Sequence, residues 1–573
     1  MRWPRVVSLF CLGGALWATS VQAQTGSKEI CPRPAVGSTI SEPADLRSQN
    51  GELKVELVIR NSADPNRGTR YCYLDQYGDE SPNLRVRPGD RLILNLKNDL
   101  SAAGEKDTMA MSSTSGTAAD LCAGRVMTRT STNLHFHGLA LPPECHEDDV
   151  IRTSIEPGDP PFEYRVRIPP TQPPGLYWYH PHLHGFSKAQ VLGGASGALI
   201  IEGIEKVNQA AAGLPERVLV IRDQDLMNPQ AAPPAAGSGP PPVVIRDREG
   251  DAINTGDGGG KPAKDLSLNF VPIPFPGYPT AVIQMKPGEQ QLWRVLNASA
   301  ITYLNLQVLV DGVPQILGVV GVDGVPLNQS GAIRSRILWE DHVGLAPAGR
   351  IEFLFKGPPA GIEATLITRS VNTGPGGEND PTRPLAKIVV ATNAPEPVSK
   401  LPNSGEAVIP SGLPWLGDVT PTRTRKLYFS ERLQDPNDPN SPTTFYLTVE
   451  GQTPKPFDPD STAPNIVVEQ GDVEDWIIEN RSQELHDFHI HQVHYLMLEW
   501  NGMAVNEPFL RDTVNIPYWD GKSSKYPSVK LRIDFRDPNI IGTFPYHCHL
   551  LEHEDGGMMG LVKVEPRAPG RAH

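Results

Sequence analysis

Alternating apolar and polar residues divide most of the chain into short strand-like segments separated by polar turns. Alternation with a period of two is typical of half-buried β-strands. The pattern is clearest in three segments of the same design: a strand, a glycine followed by an acidic residue, an alternating strand, and an asparagine nine residues after the glycine. They are Leu84–Asn98, Ile283–Asn297 and Ile466–Asn480. One copy would be an ordinary strand–turn–strand unit, whereas three copies indicate an internal repeat.

The repeat spacing predicts the domain organisation. Its glycines, Gly89, Gly288 and Gly471, lie a domain's length apart rather than a solenoid unit apart. A chain of 573 residues also exceeds what one hydrophobic core supports, so two to four domains are expected. We therefore predict an all-β protein of three β-sandwich domains. The predicted bounds are residues 45–203, 204–395 and 396–567.

Composition supports an all-β fold and limits the partners. The chain has 53 Gly and 58 Pro without a collagen-like period, which favours many turns. Its 52 Lys and Arg against 66 Asp and Glu give a formal charge of −14. An acidic surface of this kind argues against nucleic acid as the main partner and favours solubility.

The first 23 residues have the pattern of a secretory signal. Arg2 and Arg5 precede an apolar run from Val6 to Ala18, and Val21-Gln-Ala23 offers small residues for cleavage. The apolar run is too short to span a bilayer, and no later segment is long and apolar enough. We expect an exported protein, periplasmic or secreted, without a membrane span.

Cysteine usage agrees with export. Beyond residue 23 the cysteines are Cys31, Cys72, Cys122, Cys145 and Cys548. The first four can form two disulfides, with three possible connectivities. Cys548 stands alone near the other end, so it needs a separate role.

Histidines carry the chemistry. Of the 15 histidines, 13 fall in four short clusters, and each cluster contains a His-X-His pair. Residues two apart on a strand share a face, so each pair presents two imidazoles together. Eight neutral imidazoles suit a multinuclear copper cluster with open positions better than a closed structural zinc site. The pairs are His135 with His137, His180 with His182, His489 with His491, and His547 with His549.

The last cluster predicts a second metal centre. In His547-Cys548-His549 the cysteine faces away from the two histidines, so one strand can contact two centres back to back. Cys548 with His486, His553 and Met558 makes a two-histidine, one-cysteine set with a weak thioether. That set is typical of a blue-copper electron-transfer site.

With these four motifs the sequence resembles the three-domain multicopper oxidases, which include laccases, bilirubin oxidases, ascorbate oxidases and copper-efflux oxidases. The resemblance covers nearly the whole chain after residue 23. It implies cupredoxin-like Greek-key sandwiches, four copper ions, and dioxygen bound between the first and third domains. It also implies three ligand sets: His486, Cys548, His553 and Met558 for type 1 copper; His135 and His489 for type 2; and His137, His180, His182, His491, His547 and His549 for the type 3 pair.

Reduction of dioxygen to water also needs protons, so carboxylates are expected near the cluster. Glu554 follows His553, where copper-efflux oxidases have a matching acid. Asp148 and Asp149 follow the first His-X-His pair and resemble the family acid near the type 2 copper. The spacing is longer here, so either aspartate is a candidate, and a solvated acidic loop is the alternative.

The electron donor is predicted from what the sequence lacks. Copper-efflux oxidases often carry a methionine-rich insert, but this chain has 10 Met, close together only at Met109/Met111 and Met558/Met559. The pattern favours a laccase-like oxidase of phenols or aromatic amines, acting as a monomer on a small reducing substrate. The alternatives are a metallo-oxidase (cuprous oxidase) without the insert and a non-catalytic copper-binding protein.

Overall fold

The computed structural model consists mainly of β-strands. It describes residues 29–64, 68–102, 120–232, 246, 251–254, 256, 258–327, 336–403, 413–438, 441–461 and 463–567. The predicted signal segment 1–23 and the pair Met109/Met111 lie outside the described residues. No helix in the described ranges combines the length and the apolar character that crossing a bilayer requires.

The first part of the chain forms two sheets, ordered β1-β4-β9-β8-β6 and β3-β2-β5-β7. Two short helices, α1 (Ser187–Leu192) and α2 (Ile204–Val207), flank its last strand. The strands are β1 (Asp45–Arg47), β2 (Glu52–Asp64), β3 (Gly68–Asp75), β4 (Asn83–Val86), β5 (Arg91–Asn98), β6 (His135–His137), β7 (Phe162–Arg167), β8 (Gly175–His180) and β9 (Gly197–Ile201).

The middle part forms a larger pair of sheets. One is ordered β12-β11-β10-β14-β21-β17-β18 with β19 and β24 beside it, and the other β13-β23-β22-β15-β16 with β20 on β15. A 3-10 turn at Gln209–Ala211 precedes them. The strands are β10 (Pro215–Gln224), β11 (Asp265–Leu268), β12 (Val271–Ile273), β13 (Ala281–Met285), β14 (Gln290–Asn297), β15 (Leu304–Val310), β16 (Val313–Pro314), β17 (Leu317–Val322), β18 (Val325–Pro326), β19 (Leu338–Glu340), β20 (Val343–Leu345), β21 (Arg350–Lys356), β22 (Ala364–Thr368), β23 (Arg383–Val390) and β24 (Ser399–Lys400).

The last part forms a third pair, ordered β26-β25-β28-β33-β30-β31 and β27-β35-β34-β29-β32. It also contains helix α3 (Leu551–Asp555) and 3-10 turns at Leu416–Asp418 and Pro538–Ile540. The strands are β25 (Arg423–Leu433), β26 (Thr443–Val449), β27 (Ile466–Glu469), β28 (Val473–Asn480), β29 (His486–Ile490), β30 (Tyr495–Trp500), β31 (Met503–Ala504), β32 (Thr513–Ile516), β33 (Ser528–Asp534), β34 (Gly542–Cys548) and β35 (Met559–Glu565).

Each pair of sheets has its own large buried apolar cluster, so the predicted all-β class is confirmed. We call the three parts of the chain the first, middle and third segments. Every copy of the sequence repeat connects the two sheets of its segment. The connections run from β4 to β5, from β13 to β14 and from β27 to β28.

Residue types in the repeat follow from this crossing. Gly89, Gly288 and Gly471 turn the chain with φ of +89°, +67° and +99°, in the left-handed region that favours glycine. The repeat asparagine is buried at the end of the second strand. Its side-chain oxygen accepts the N–H two residues on, and its amide donates to loop carbonyls. The donations are Asn98 to Thr130 and Ile155, Asn297 to Thr302 and Ala346, and Asn480 to Glu484 and Ile516.

Two disulfides join the four cysteines of the first segment. Cys31 bonds Cys72, and Cys122 bonds Cys145. The expected pairing is confirmed, and one of its three connectivities is selected. Cys548 is free and buried, which leaves its thiol for another role.

The repeat asparagines give a stability prediction. Asn297→Ala should lower the free energy of unfolding by about 2–4 kcal/mol, because it leaves two buried carbonyls and the Ser299 N–H without a hydrogen-bond partner. Urea unfolding followed by tryptophan fluorescence measures the effect. Asn437→Ala, at an exposed loop position, is the control and should change the value by less than about 0.5 kcal/mol. Equal effects of the two substitutions would contradict the proposed role of the asparagine.

Candidate metal centres

Strand pairing brings the histidine motifs together. In the first segment β6 lies antiparallel to β8, with His135 opposite His180. In the third segment β29 lies antiparallel to β34, with His489 opposite His547 and Phe488 opposite Cys548. Directly paired residues share a face of the sheet. The face that holds His489 and His547 is therefore opposite the face that holds Cys548.

The expectation that each His-X-His pair lies on one strand is only partly correct. His135 and His137 both belong to β6, but β8 ends at His180, β29 at Ile490 and β34 at Cys548. In those three pairs the second histidine lies just beyond the strand. After β8 the reason is Pro181, which has no N–H to donate to a sheet ladder.

The eight imidazoles nevertheless converge between the first and third segments. All are buried, with at most 3% of each residue exposed. The Nε2 atoms of His182, His491 and His547 lie 3.1, 3.2 and 3.4 Å from one another. His135, His137 and His180 form a second group, and His135, His489 and His491 a third.

Backbone carbonyls fix which ring nitrogen carries the proton. The Nδ1 atoms of His180, His489 and His547 lie 2.9, 2.7 and 2.9 Å from the carbonyl oxygens of Pro181, Asp512 and Cys548. A carbonyl only accepts, so each Nδ1 donates and each Nε2 keeps its lone pair.

These lone pairs fit a bound metal. The Nε2 atoms of His135, His180 and His489 are buried and have no hydrogen-bond partner. Burial lowers the pKa of His135 and of His547 to about 3, so both rings are neutral at neutral pH. Neutral imidazole nitrogens 3.1–3.4 Å apart suit metal–ligand bonds of about 2 Å.

A second group of donors lies on the other face of β34. Cys548 Sγ is 3.6 Å from His486 Nδ1 and 3.7 Å from His553 Nδ1, and the two nitrogens are 3.2 Å apart. Met558 is buried beside them, and its backbone bonds Cys548 and His553. Burial raises the pKa of the Cys548 thiol, so a thiolate here needs a cation next to it.

Two of the three predicted acids, Glu554 and Asp148, contact imidazoles of the cluster. Glu554, on α3, is fully buried with Oε2 3.1 Å from His547 Nδ1 and Oε1 3.7 Å from His182 Nε2. Asp148 is 3.0 Å from His135 Nδ1 and accepts the Gln492 side-chain amide.

Asp149 does not contact the imidazoles. It accepts the Arg152 N–H and lines a cavity of about 280 Å³ between the first and third segments. Of the two aspartates that the sequence could not separate, Asp148 is the one in contact with a candidate ligand.

Two acids that contact the Cys548 group were missed. Glu431 Oε1 lies 3.1 Å from His486 Nε2, and Glu484 Oε1 lies 3.2 Å from His553 Nε2. Burial raises the pKa of Glu484, and the nearby charge of Glu431 adds to that. Glu431 belongs to no histidine motif and needed the fold to identify it, whereas Glu484 lies two residues before His486, a local signal that the sequence reasoning did not use.

The three remaining histidines of the four sequence clusters lie outside both groups of donors. His146 contacts the Glu163 carbonyl, His494 contacts the Asp323 carbonyl, and His184 packs against Phe457.

Comparisons with known proteins point to one family. Two family models, both described as Multicopper oxidase, match residues 125–206 and 435–568. Together the two stretches contain all twelve predicted metal ligands.

Curated relatives of similar length agree. A multicopper oxidase of Staphylococcus aureus is 23% identical over 495 residues, covering 84% of this chain and 81% of that protein. A laccase of Bacillus subtilis is 22% identical, covering 76% and 79%.

Solved structures share the fold. The McoA multicopper oxidase of Aquifex aeolicus has a TM-score of 0.61 at 18% identity, covering 92% of this chain and 99% of that one. A Campylobacter jejuni multicopper oxidase, described as a metallo-oxidase, has a TM-score of 0.62 at 21% identity, covering 93% and 96%.

The Cys548 group gives a spectroscopic prediction. Copper-loaded protein should absorb strongly in the visible range, and Cys548→Ser should abolish that absorption, because serine cannot supply the soft thiolate. Absorption spectra with copper analysis measure both. Ser482→Ala, which removes only a hydroxyl beside His486, is the control and should keep the colour. A Cys548→Ser protein that stays blue would refute the ligand set.

Proposed function

The chain belongs to the multicopper oxidases, and on that premise we propose that it takes electrons singly from a small reducing substrate and reduces dioxygen to water at four copper ions. The observation that carries this proposal is the pairing of β29 with β34. It places a thiol with two imidazoles on one face and the eight-imidazole cluster on the other. Electrons then need to cross only the backbone between Cys548 and its two histidine neighbours.

We assign ligands by position in these two groups. Type 1 copper is assigned to His486, Cys548, His553 and Met558. Type 2 copper is assigned to His135 and His489, whose Nε2 lone pairs are both unpartnered. The type 3 pair is assigned to His137, His180, His182, His491, His547 and His549.

Bound copper supplies the one-electron redox chemistry, and the protein supplies position and protons. Four electrons and four protons convert one dioxygen molecule to two water molecules. We assign proton delivery to Glu554 and Asp148, which lie beside His547 and His135. Burial raises the pKa of both carboxyls, which favours holding a proton for transfer.

Glu554 is fully buried, but a cavity reaches its neighbour in the chain. A charged cavity of about 500 Å³ reaches Asp555, the next residue, and is lined by Lys188, Lys264 and Glu552. It supports a route for proton supply to Glu554.

The donor is proposed to approach the type 1 group at Glu431. Its side chain is 23% exposed, whereas His486 and His553 are buried. For a laccase-like reaction, removing an electron from a phenol makes its hydroxyl strongly acidic, and Glu431 can accept that proton because the hydrogen bond to His486 lowers its pKa. This supports phenols or aromatic amines as the donor class.

A metallo-oxidase is the second candidate, favoured by the same partly exposed acid. The Glu431 carboxylate, on the outer nitrogen of His486, can attract a metal cation as well as accept a proton. The relative from Campylobacter jejuni is described as a metallo-oxidase.

We also propose that the protein acts outside the cytoplasm, in the periplasm or secreted. The signal-like segment 1–23 and the two disulfides support this location.

Glu554→Gln tests proton supply. The substitution keeps shape but removes the exchangeable carboxyl proton, so reoxidation by dioxygen should slow by about 100-fold. Bleaching by donor without oxygen should stay near normal. Stopped-flow absorption measures both steps. Glu565→Gln, which changes a half-exposed side chain paired with Lys563, is the control and should reoxidise at the parental rate. Slow bleaching with normal reoxidation would instead place Glu554 in the donor site.

Glu431→Gln separates the two donor classes. If a cation is the donor, the KM for Cu(I) should rise about tenfold, because a charge–charge contact is lost. If a phenol is the donor, kcat for dimethoxyphenol should fall while Cu(I) oxidation stays weak. Steady-state assays with both donors decide. Glu450→Gln, at an exposed position paired with Arg481, is the matched control. Unchanged kinetics with both donors would remove Glu431 from the donor site.

A further inference from the structure

A buried arginine of the middle segment reaches the other two segments next to the cluster. Arg350, at the start of β21, is fully buried. Its guanidinium forms a two-pronged pair with Asp512, at 2.6 Å to Oδ1 and 2.5 Å to Oδ2. It also donates to the carbonyl of Leu176 in the first segment, at 3.3 Å. A bidentate pair fixes direction as well as distance.

Asp512 in turn contacts two proposed copper ligands. Its backbone carbonyl accepts the Nδ1–H of His489 at 2.7 Å. Its Oδ1 lies 3.5 Å from Nε2 of His137. One residue therefore faces a proposed type 2 ligand with its backbone and a proposed type 3 ligand with its side chain.

The middle segment holds Asp512 at a second point. The carboxylate of Asp323 accepts the N–H of Asp512 at 3.2 Å, the N–H of Thr513 at 3.3 Å, and the Thr513 hydroxyl at 3.0 Å. The backbone of Gly138 packs tightly against the Arg350–Asp512 ion pair. A Cβ on Gly138, the residue after His137, would lie 2.7 Å from Asp512 Oδ2 and 2.8 Å from Arg350 Nη2.

We propose that Arg350 is a positioning residue for the copper cluster, acting through Asp512 on His489 and His137. This rests on the proposed function, because it concerns the ligands assigned there. The Asp512 carbonyl keeps the proton of His489 on Nδ1 and leaves Nε2 for the metal. The carboxylate lies beside Nε2 of His137 and restricts the orientation of that ring. The middle segment, which contributes none of the assigned ligands, thus sets the orientation of two.

The chain offers a matched control for Arg350. Arg294 lies on β14, the neighbour of β21 in the same sheet, and is also fully buried. It bonds the carboxylates of Glu216 and Glu352 and has no contact with a proposed ligand. Arg350→Met and Arg294→Met each remove one buried charge from the same sheet, so both should lower the thermal midpoint.

Only Arg350→Met should disturb the cluster. We expect the type 2 copper to be lost to a chelator about 10 to 100 times faster than in the parent, the range for ligand-orienting partners. The type 2 EPR spectrum should change, while the blue absorption of the type 1 site should stay. Arg294→Met should lose type 2 copper at the parental rate. Equal rates in the two variants, or parallel loss of the blue absorption, would overturn the proposal.

A second variant covers a failure of Arg350→Met to fold. Asp512→Asn keeps the backbone carbonyl and the size of the side chain but breaks the charge pair with Arg350. It should show the same selective change in type 2 copper, and parental behaviour overturns the positioning role. A parent protein without a type 2 EPR signal would instead overturn the proposed function. The two failures are therefore distinguishable.

Discussion

The burial of eight uncharged histidine rings constrains the rest of this structure. Taking an imidazole out of water favours its neutral form, and a neutral ring has one nitrogen that donates and one that must be met by something else. Carbonyls take the donated protons of His180, His489 and His547. The Nε2 of His547 then faces those of His182 and His491, and the Nε2 atoms of His180 and His489 have no partner, an arrangement that metal cations stabilise.

Carboxylates surround these groups at short range. Asp148, Glu554 and Asp512 border the larger cluster, and Glu431 and Glu484 border the Cys548 group. In the proposed function, Asp148 and Glu554 hold protons for transfer to the cluster, and Glu431 lies where the donor approaches.

The sequence predicted the parts of this protein that repeat or lie close together along the chain. The three strand–glycine–asparagine segments predicted paired sheets, because each asparagine closes the same kind of loop. The His-X-His motifs predicted the donor atoms, because neighbours on a strand need no knowledge of the fold. The connectivity of the cysteines and the choice between Asp148 and Asp149 required the fold. Glu431, Glu484 and Arg350 were not predicted at all: Glu431 and Arg350 reach their partners from distant strands, and Glu484, two residues before His486, contacts His553 from the turn before β29.

The contacts of Arg350 with the other two segments have a consequence for the evolution of the sequence. Its partner Asp512 lies in a different segment, more than a hundred residues away, and both lie against the backbone of the first segment at Gly138. A substitution at any one of these three positions alters what the other two can tolerate. If Arg350 positions the cluster as proposed, exchanging the middle segment for that of a relative should disturb the contacts of Asp512. Residues from all three segments, Arg350, Asp512 and Gly138, would then have to change together during evolution.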